Sequence, residues 1–293
     1  MVLLQALLNG LLVGAIWGVL GLGKQIVLGV IHFVNFAHGH LVLLAMYLAL
    51  LLWTLTQADP FLLLPIVVVI MAGVGWLLDR VLVRPLVPRG ERAQMIATLA
   101  LALIIENLAL MIASPQPRSI QTWWADTALR LGGLFLNYGQ LMGLVVSAVV
   151  FAATWWLIRR TPLGVMIRAT SQNREAAQYM GINTSRVYGI AFVLSVVLAG
   201  VVGAVYIVSS PVDPSTAWSF LILMFVVPVL GGLGSIPGTA LAGVLVGIVQ
   251  VLSSTYLDIE LQNMIVFVLF VLFLVLRPQG LLGKATDQFR ISV

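Results

Sequence analysis

The chain has 293 residues, 61% of them hydrophobic and 9% charged, with a formal net charge of +5 and no cysteine. An ordinary soluble domain carries about 25% charged residues, so this composition excludes a soluble globular protein, and the charge is too sparse to argue for nucleic acid. The missing thiols exclude disulfides, thiolate metal sites and cysteine nucleophiles alike.

Taken in chain order, apolar segments lie near 3–28, 37–56, 61–83, 94–114, 138–158, 187–209, 218–236, 238–256 and 261–277. Several reach the ~20 residues needed to cross a bilayer. The expected fold class is therefore all-α: a polytopic transmembrane helical bundle, a single domain over 1–293. The first charge is Lys24, so no basic stretch precedes the first apolar run and a cleaved signal peptide is not expected.

Three connections are basic: DRVLVRPLVPRGER at 79–92, the loop at 159–186, and the tail with Arg277, Lys284 and Arg290. Together they hold twelve of the fifteen basic residues. The other connections carry Asp59, Asp126, Asp213, Asp258 and Glu260, with only Arg118 and Arg130 as bases. Short loops rich in Lys and Arg stay in the cytoplasm, and the basic connections alternate correctly if nine segments cross with the N-terminus outside. If 25–40 is re-entrant, the count becomes eight and the N-terminus moves inside. Trp123, Trp124, Trp155 and Trp156 fall near expected span ends, where interfacial aromatics belong.

The first candidate for chemistry is Gly18–Gln25, GVLGLGKQ, which nearly spells a phosphate-binding loop. Gln25 stands where that loop needs a hydroxyl for magnesium, and no soluble α/β unit surrounds it. The glycines instead suit close helix packing, and Lys24 can extend to the interface. Next comes IHFVNFAHGH at 31–40, which holds all three histidines of the chain. His38 and His40 are two apart and His32 is six before His38, so neither spacing stacks ligands on one helical face. No cysteine or second histidine cluster completes a metal site. A broken helix fits better, with Asn35 and His38 satisfying backbone groups freed around Gly39. Such breaks mark substrate sites near the midplane of transporters, and Asn35, His38 and open backbone groups offer both donors and acceptors to a polar solute.

Glu106, with Asn107 beside it, lies within the fourth apolar segment, so it should face protein or pathway rather than lipid. A hydrogen-bonded structural role is favoured over direct substrate contact. In the loop at 159–186, Thr161-Pro162 reads as a helix start and Asn173 as a second N-cap, with Gly181 placed to stop the second helix. Ala176 and Ala177 offer small residues for a contact face, Glu175 sits near the positive dipole end, and the neighbouring arginines can orient it. Finally, Gly231-Gly232-Leu233-Gly234-Ser235-Ile236-Pro237-Gly238 is either a cytoplasmic turn or irregular backbone lining a cavity. Ser235 with distant His38 offers no specific base or oxyanion hole for a membrane hydrolase.

Three of these strings carry a resemblance. Glu175-Ala176-Ala177 followed by Gly181 resembles the EAA loop of ABC-importer permeases, which docks into the cytoplasmic ATPase. The longer set Gly164, Arg168, Asn173, Ala176, Ala177 and Gly181, with Asn35-Phe36-Ala37-His38-Gly39 before it and Gly231–Gly238 after it, resembles the branched-chain amino-acid permease family, LivH type. Glu106-Asn107 also fits. The resemblance implies a single permease domain that translocates branched-chain or related small amino acids across the inner membrane. It further implies a second permease of LivM type, two cytoplasmic ATPases that bind the ATP, and a periplasmic substrate-binding protein. It implies no cofactor, metal or catalysis in this chain itself, and lipid as its surroundings. On the same basis Asn35, His38, Gly39, Glu106, Asn107, Gly231, Gly232, Gly234, Ser235, Pro237 and Gly238 belong to the substrate pathway. Gly164, Arg168, Asn173, Glu175, Ala176, Ala177 and Gly181 belong to ATPase coupling. The chain departs from the pattern at His40, often Glu in the family, and at Ile190–Leu194, which lacks the proline of the general EAA continuation. A self-sufficient secondary transporter or channel for a small polar solute is the alternative.

Overall fold

A computed structural model describes residues 1–31, 33–131 and 133–283 of the chain. The helices in order are α1 Val2–Ile31, α2 His38–Thr56, α3 Pro60–Leu78, the single turn α4 Arg84–Leu86, α5 Glu91–Ala113, the short α6 Trp123–Asp126, α7 Tyr138–Arg160, α8 Pro162–Gln172, α9 Arg174–Tyr179, α10 Thr184–Ser209, α11 Thr216–Gly231, α12 Ile236–Tyr256 and α13 Gln262–Leu276. Seven of them are long and apolar enough to cross a membrane: α1, α2, α3 with its continuation, α5, α7, α10 and α12. The expected segments at 218–236 and 261–277 form the shorter apolar helices α11 and α13, of 16 and 15 residues. At about 1.5 Å per residue these run about 24 Å or less, under the ~30 Å hydrocarbon thickness. The tail cations Lys284 and Arg290, and His32 in the first histidine cluster, lie outside the described residues.

Local chemistry sets most helix starts. Asp59 Oδ1 accepts from Phe61 N–H at 2.8 Å ahead of Pro60, Asn137 Oδ1 from Gln140 N–H at 3.2 Å, and Asn183 Oδ1 from Arg186 N–H at 3.0 Å. Each supplies an acceptor to a first-turn N–H that has no intrahelical partner. A π-helical turn at Asp79–Val83 continues α3 toward the basic connection, with Arg84 Nε donating to Asp79 Oδ2 at 2.7 Å. One small sheet breaks the helical pattern: β1 Ala128–Leu131 pairs antiparallel with β2 Leu134–Asn137 in the connection before α7. The expectation contained no such hairpin.

The core forms around α10, the most buried long helix, which packs on α1, α2 and α3. Glycines bring α1 and α12 backbone to backbone. A Cβ on Gly14 would stand 2.7 Å from Gly243 O, and one on Gly247 would stand 2.4 Å from Gly14 Cα. Small residues at such crossings allow dispersion contacts that a bilayer, itself apolar, does not otherwise drive.

This crossing also settles which ends lie together. Gly10 abuts Ile248, and Gly18 faces Ala240, so α1 and α12 run antiparallel. Gln5 at the start of α1 exchanges hydrogen bonds of 2.6 and 2.8 Å with the Phe135 backbone of the hairpin. The N-terminus therefore lies at the end of the bundle away from the basic connections, outside if those are cytoplasmic. In this cysteine-free chain, Val2→Cys should react with a membrane-impermeant maleimide added outside intact cells, while Tyr179→Cys should react only after permeabilisation. The reverse pattern would invert the topology.

Candidate functional site

The stretch between α1 and α2 is an internal break. Phe33–Asn35 have no regular secondary structure, Phe36 and Ala37 turn, and α2 begins at His38. The chain folds back beside α1: Lys24 Nζ donates to Asn35 O at 2.5 Å, and a Cβ on Gly23 would lie 3.1 Å from the His38 ring. The start of α2 thus lies level with Gly23 and Lys24, about two helical turns before α1 ends. Irregular backbone at such depth needs protein partners, and it has them. Asn35 Oδ1 accepts from Ala37 N–H at 2.9 Å, and Thr98 Oγ1 of α5 accepts from Phe36 N–H at 3.1 Å. His38 is fully buried with Nδ1 3.4 Å from Ser195 Oγ, and Gly39 leaves room for Ala217 O, 2.8 Å from where a Cβ would sit.

Lys24 corrects one expectation. It does not extend to the interface; it is fully buried, with its ammonium on the Asn35 carbonyl and 4.4 Å from the centre of the Phe225 ring. Gly18–Gln25 lie within one continuous helix, so the string forms no phosphate-binding loop. Gln25 turns the other way. With its amide oxygen toward the α11–α12 turn, it accepts from Gly234 N–H at 3.0 Å and Ser235 N–H at 2.8 Å, and its nitrogen donates to Thr239 Oγ1. Adjacent residues of α1 therefore hold these two irregular segments.

That second segment is a tight turn. Gly231 ends α11, Gly232 and Gly234 take φ of +93° and +87°, Ser235 Oγ caps α12 by accepting from Gly238 N–H at 3.2 Å, and Pro237 fills its second position. A side chain at Gly232 would strike the backbone of Gly283, 2.4 Å away. Beside the turn, at the end of the bundle that carries the basic connections, lies a cavity of about 580 Å³ bordered by Gln25, Gly29, Arg159, Arg168, Ser235 and Pro237. The hydroxyl of Ser235 is a helix cap, and His38 approaches Ser195 instead, so no nucleophile and base meet there. No group of three or more metal-ligating side chains occurs among the described residues.

Glu106 is where α5 meets α2 and α11. Its Oε2 accepts from Trp218 Nε1–H at 2.9 Å and lies 3.5 Å from His40 Nε2. Asn107, next on the helix, points away: it is exposed and donates to Leu103 O at 2.7 Å. Sequence reasoning paired Glu106 with Asn107 and missed Trp218, 112 residues away.

The loop at 159–186 forms the two capped helices expected. Thr161 Oγ1 accepts from Gly164 N–H at 3.2 Å, Asn173 Oδ1 from Ala176 N–H at 3.0 Å, and Gly181 stops α9 with φ +82°. Gly164 is obligatory, since a Cβ there would lie 2.2 Å from Ile158 O. Arg168 donates to that same carbonyl, locking α8 to the end of α7. The expected contact face needs correction: Ala177 is buried against the chain, and Glu175 and Ala176 are exposed beside Tyr179 and Met180, which are 88% and 83% exposed. No arginine pairs with Glu175 among the described residues; Arg174 stacks over Tyr188 instead. The exposure of Tyr179 and Met180 went unread because the spacing of so short a helix does not tell an exposed side chain from a packed one.

A family described as "Branched-chain amino acid transport system / permease component" matches residues 6–274. The chain belongs to this permease family. It is 26% identical over 294 residues to the branched-chain amino acid permease BraD of Pseudomonas aeruginosa, and 26% identical over 298 residues to LivH of Escherichia coli K12, each alignment covering 96% of both chains. A probable branched-chain amino acid permease LivH of Methanocaldococcus jannaschii is 28% identical over 270 residues, covering 85% of this chain and 82% of the relative. No solved structure matches. The permease is a multi-pass inner-membrane protein of a transport family, not of an enzyme family.

Lys24→Met keeps the stem of the side chain and removes its donor. Leaving the buried Asn35 carbonyl without a partner costs about 1–3 kcal/mol and should loosen the break. Ala37→Cys, protected from a membrane-permeant maleimide in the parent permease, should then label several-fold faster. Equal protection in both backgrounds would show that the break holds without the ammonium.

Proposed function

We propose that the permease is one of two membrane-spanning subunits of an ATP-driven importer for branched-chain or related small amino acids. Its partners are a second permease of LivM type, two ATPases on the basic face, and a substrate-binding protein on the opposite face, where the Trp123–Asn137 segment presents its hairpin. ATP is bound by the partner ATPases, and the permease carries no cofactor. Support for the substrate class comes from relatives whose names specify branched-chain amino acids over nearly their whole length.

The observation that carries the reading is α8–α9 itself. A basic connection needs only arginines to satisfy the membrane. This one is instead capped at Thr161 and Asn173, closed at Gly181, and held to α7 through Arg168. It presents Glu175, Ala176, Tyr179 and Met180 outward on a rigid unit. In this reading Gly164, Arg168, Asn173, Ala177 and Gly181 build the unit, and the exposed four meet the ATPase. Displacement of α8 works across the cavity on the Gly231–Gly238 turn and, through α1, on the Asn35–Gly39 break. These two segments, with Glu106, form the moving part of the substrate pathway.

Glu175→Arg reverses the charge on the exposed face, and Gly181→Asp puts a side chain where the helix must stop. Each should lower ATP-driven uptake about tenfold or more, the equivalent of about 1.4 kcal/mol of lost docking free energy, at unchanged protein levels in the membrane. Wild-type uptake by both variants would sink the docking role. Substrate flux through the purified single chain, without an ATPase, would instead favour a secondary transporter or channel.

A further inference from the structure

Asp79 and Glu106 are the only carboxylates that lie beyond the first turn of a long apolar helix among the described residues, and they are treated differently. Asp79 has a cation: Arg84 Nε sits 2.7 Å from its Oδ2. Glu106 has no Lys or Arg within ion-pair distance among the described residues. Its Oε2 is held by the Trp218 indole N–H and faced by His40, whose side chain is 1% exposed and whose two ring nitrogens have no hydrogen-bond partner. Oε1 accepts no hydrogen bond among the described residues, and the side chain remains 17% exposed. Trp218, whose ring meets His40 edge-on at 5.0 Å, is 37% exposed at the same place.

The position suits a transported solute. Glu106 stands seven residues before the end of α5, about 10 Å below that end at about 1.5 Å per residue. Its side chain tilts inward along the helix to meet the start of α2, immediately after the break, and the first turn of α11. An unpaired carboxylate at this depth is costly unless a cation or donor comes to it. An aromatic ring and a carboxylate side by side are the pair of groups that recognise an organic ammonium, through charge and through the ring quadrupole.

We infer that Glu106 Oε1 and the Trp218 ring form the subsite that takes the α-ammonium of the transported amino acid, with His40 as a positioning residue that keeps Oε2 turned inward. This deepens the importer reading and rests on it. The subsite selects zwitterions over neutral amides and carboxylic acids of the same shape, at a stage after release from the binding protein.

The test uses the whole importer, reconstituted in proteoliposomes with its ATPases and binding protein, and reads leucine uptake per ATP hydrolysed. Glu106→Gln keeps an acceptor for the Trp218 N–H but removes the charge; it should lower uptake per ATP at least tenfold while assembly and binding-protein-stimulated ATP hydrolysis persist. Trp218→Phe retains a ring but loses the N–H that holds Oε2, and Trp218→Leu loses both, so the Phe variant should keep at least about threefold more uptake per ATP than the Leu variant. Parental coupling in Glu106→Gln, or equal uptake in the Phe and Leu variants, would overturn the subsite. A parent complex that hydrolyses ATP but imports no amino acid would overturn the importer reading instead, so the two failures are distinct.

Discussion

The contact between Lys24 and the Asn35 carbonyl is the constraint on which the rest of the permease depends. A helix broken inside a bilayer exposes carbonyl and N–H groups that lipid cannot satisfy, and a fully buried ammonium is costly without acceptors. Here each problem answers the other: the break supplies the carbonyl, and α1 supplies the donor at 2.5 Å, with the Phe225 ring of α11 beneath it. Each group left alone would be destabilising by about 1–3 kcal/mol or more. Because α2 begins where this contact places it, Gly39 meets the start of α11 and His40 reaches Glu106.

Gln25 extends the same logic one residue on. Neighbouring side chains on a helix diverge by about 100°, so Lys24 and Gln25 reach in different directions from one point on α1. One holds the break and the other holds the Gly234–Ser235 backbone. Between them, α1 is pinned along its length to α12 by glycine contacts. Both irregular segments are therefore tied to the one helix that packs backbone to backbone on α12. By contrast, α5 touches the bundle through few contacts besides the break and the Glu106 cluster, and most of its apolar residues are exposed. Exposure of Leu or Ile means little in a bilayer. Exposure of a carboxylate there does.

What could be read from the sequence was local. Asn173, Thr161 and Gly181 act on backbone groups within a few residues of themselves, so their roles were visible as spacing. The break at Asn35–Gly39 was visible for the same reason. Lys24 was misread because the rule that lysines reach the interface holds for helix ends with open space. Nothing near it in sequence shows that Asn35 returns to its level. Ala177 was misread because helix periodicity says which residues share a face, not which face meets the chain. Trp218 was missed because its partner lies on another helix, and the hairpin at Ala128–Asn137 because its strands are only four residues each and lack a clear alternation.

These contacts follow one another from the basic face inward. The α8–α9 unit is stiff where it meets α7, through Arg168 and the absent side chain of Gly164. A cavity borders that unit and α1, beside the contacts that α8 makes directly with α1 and α10. A close-packed interior transmits displacement at once and resists it, whereas a cavity lets a stiff element travel before it presses. Across that space stands the Gly234–Ser235 turn, held through Gln25 to α1. The next is the break held by Lys24, and beyond the break lies Glu106. The Gly234–Ser235 turn and the Asn35–Gly39 break thus stand in order between the basic face and Glu106, each held in part by a polar side chain of α1.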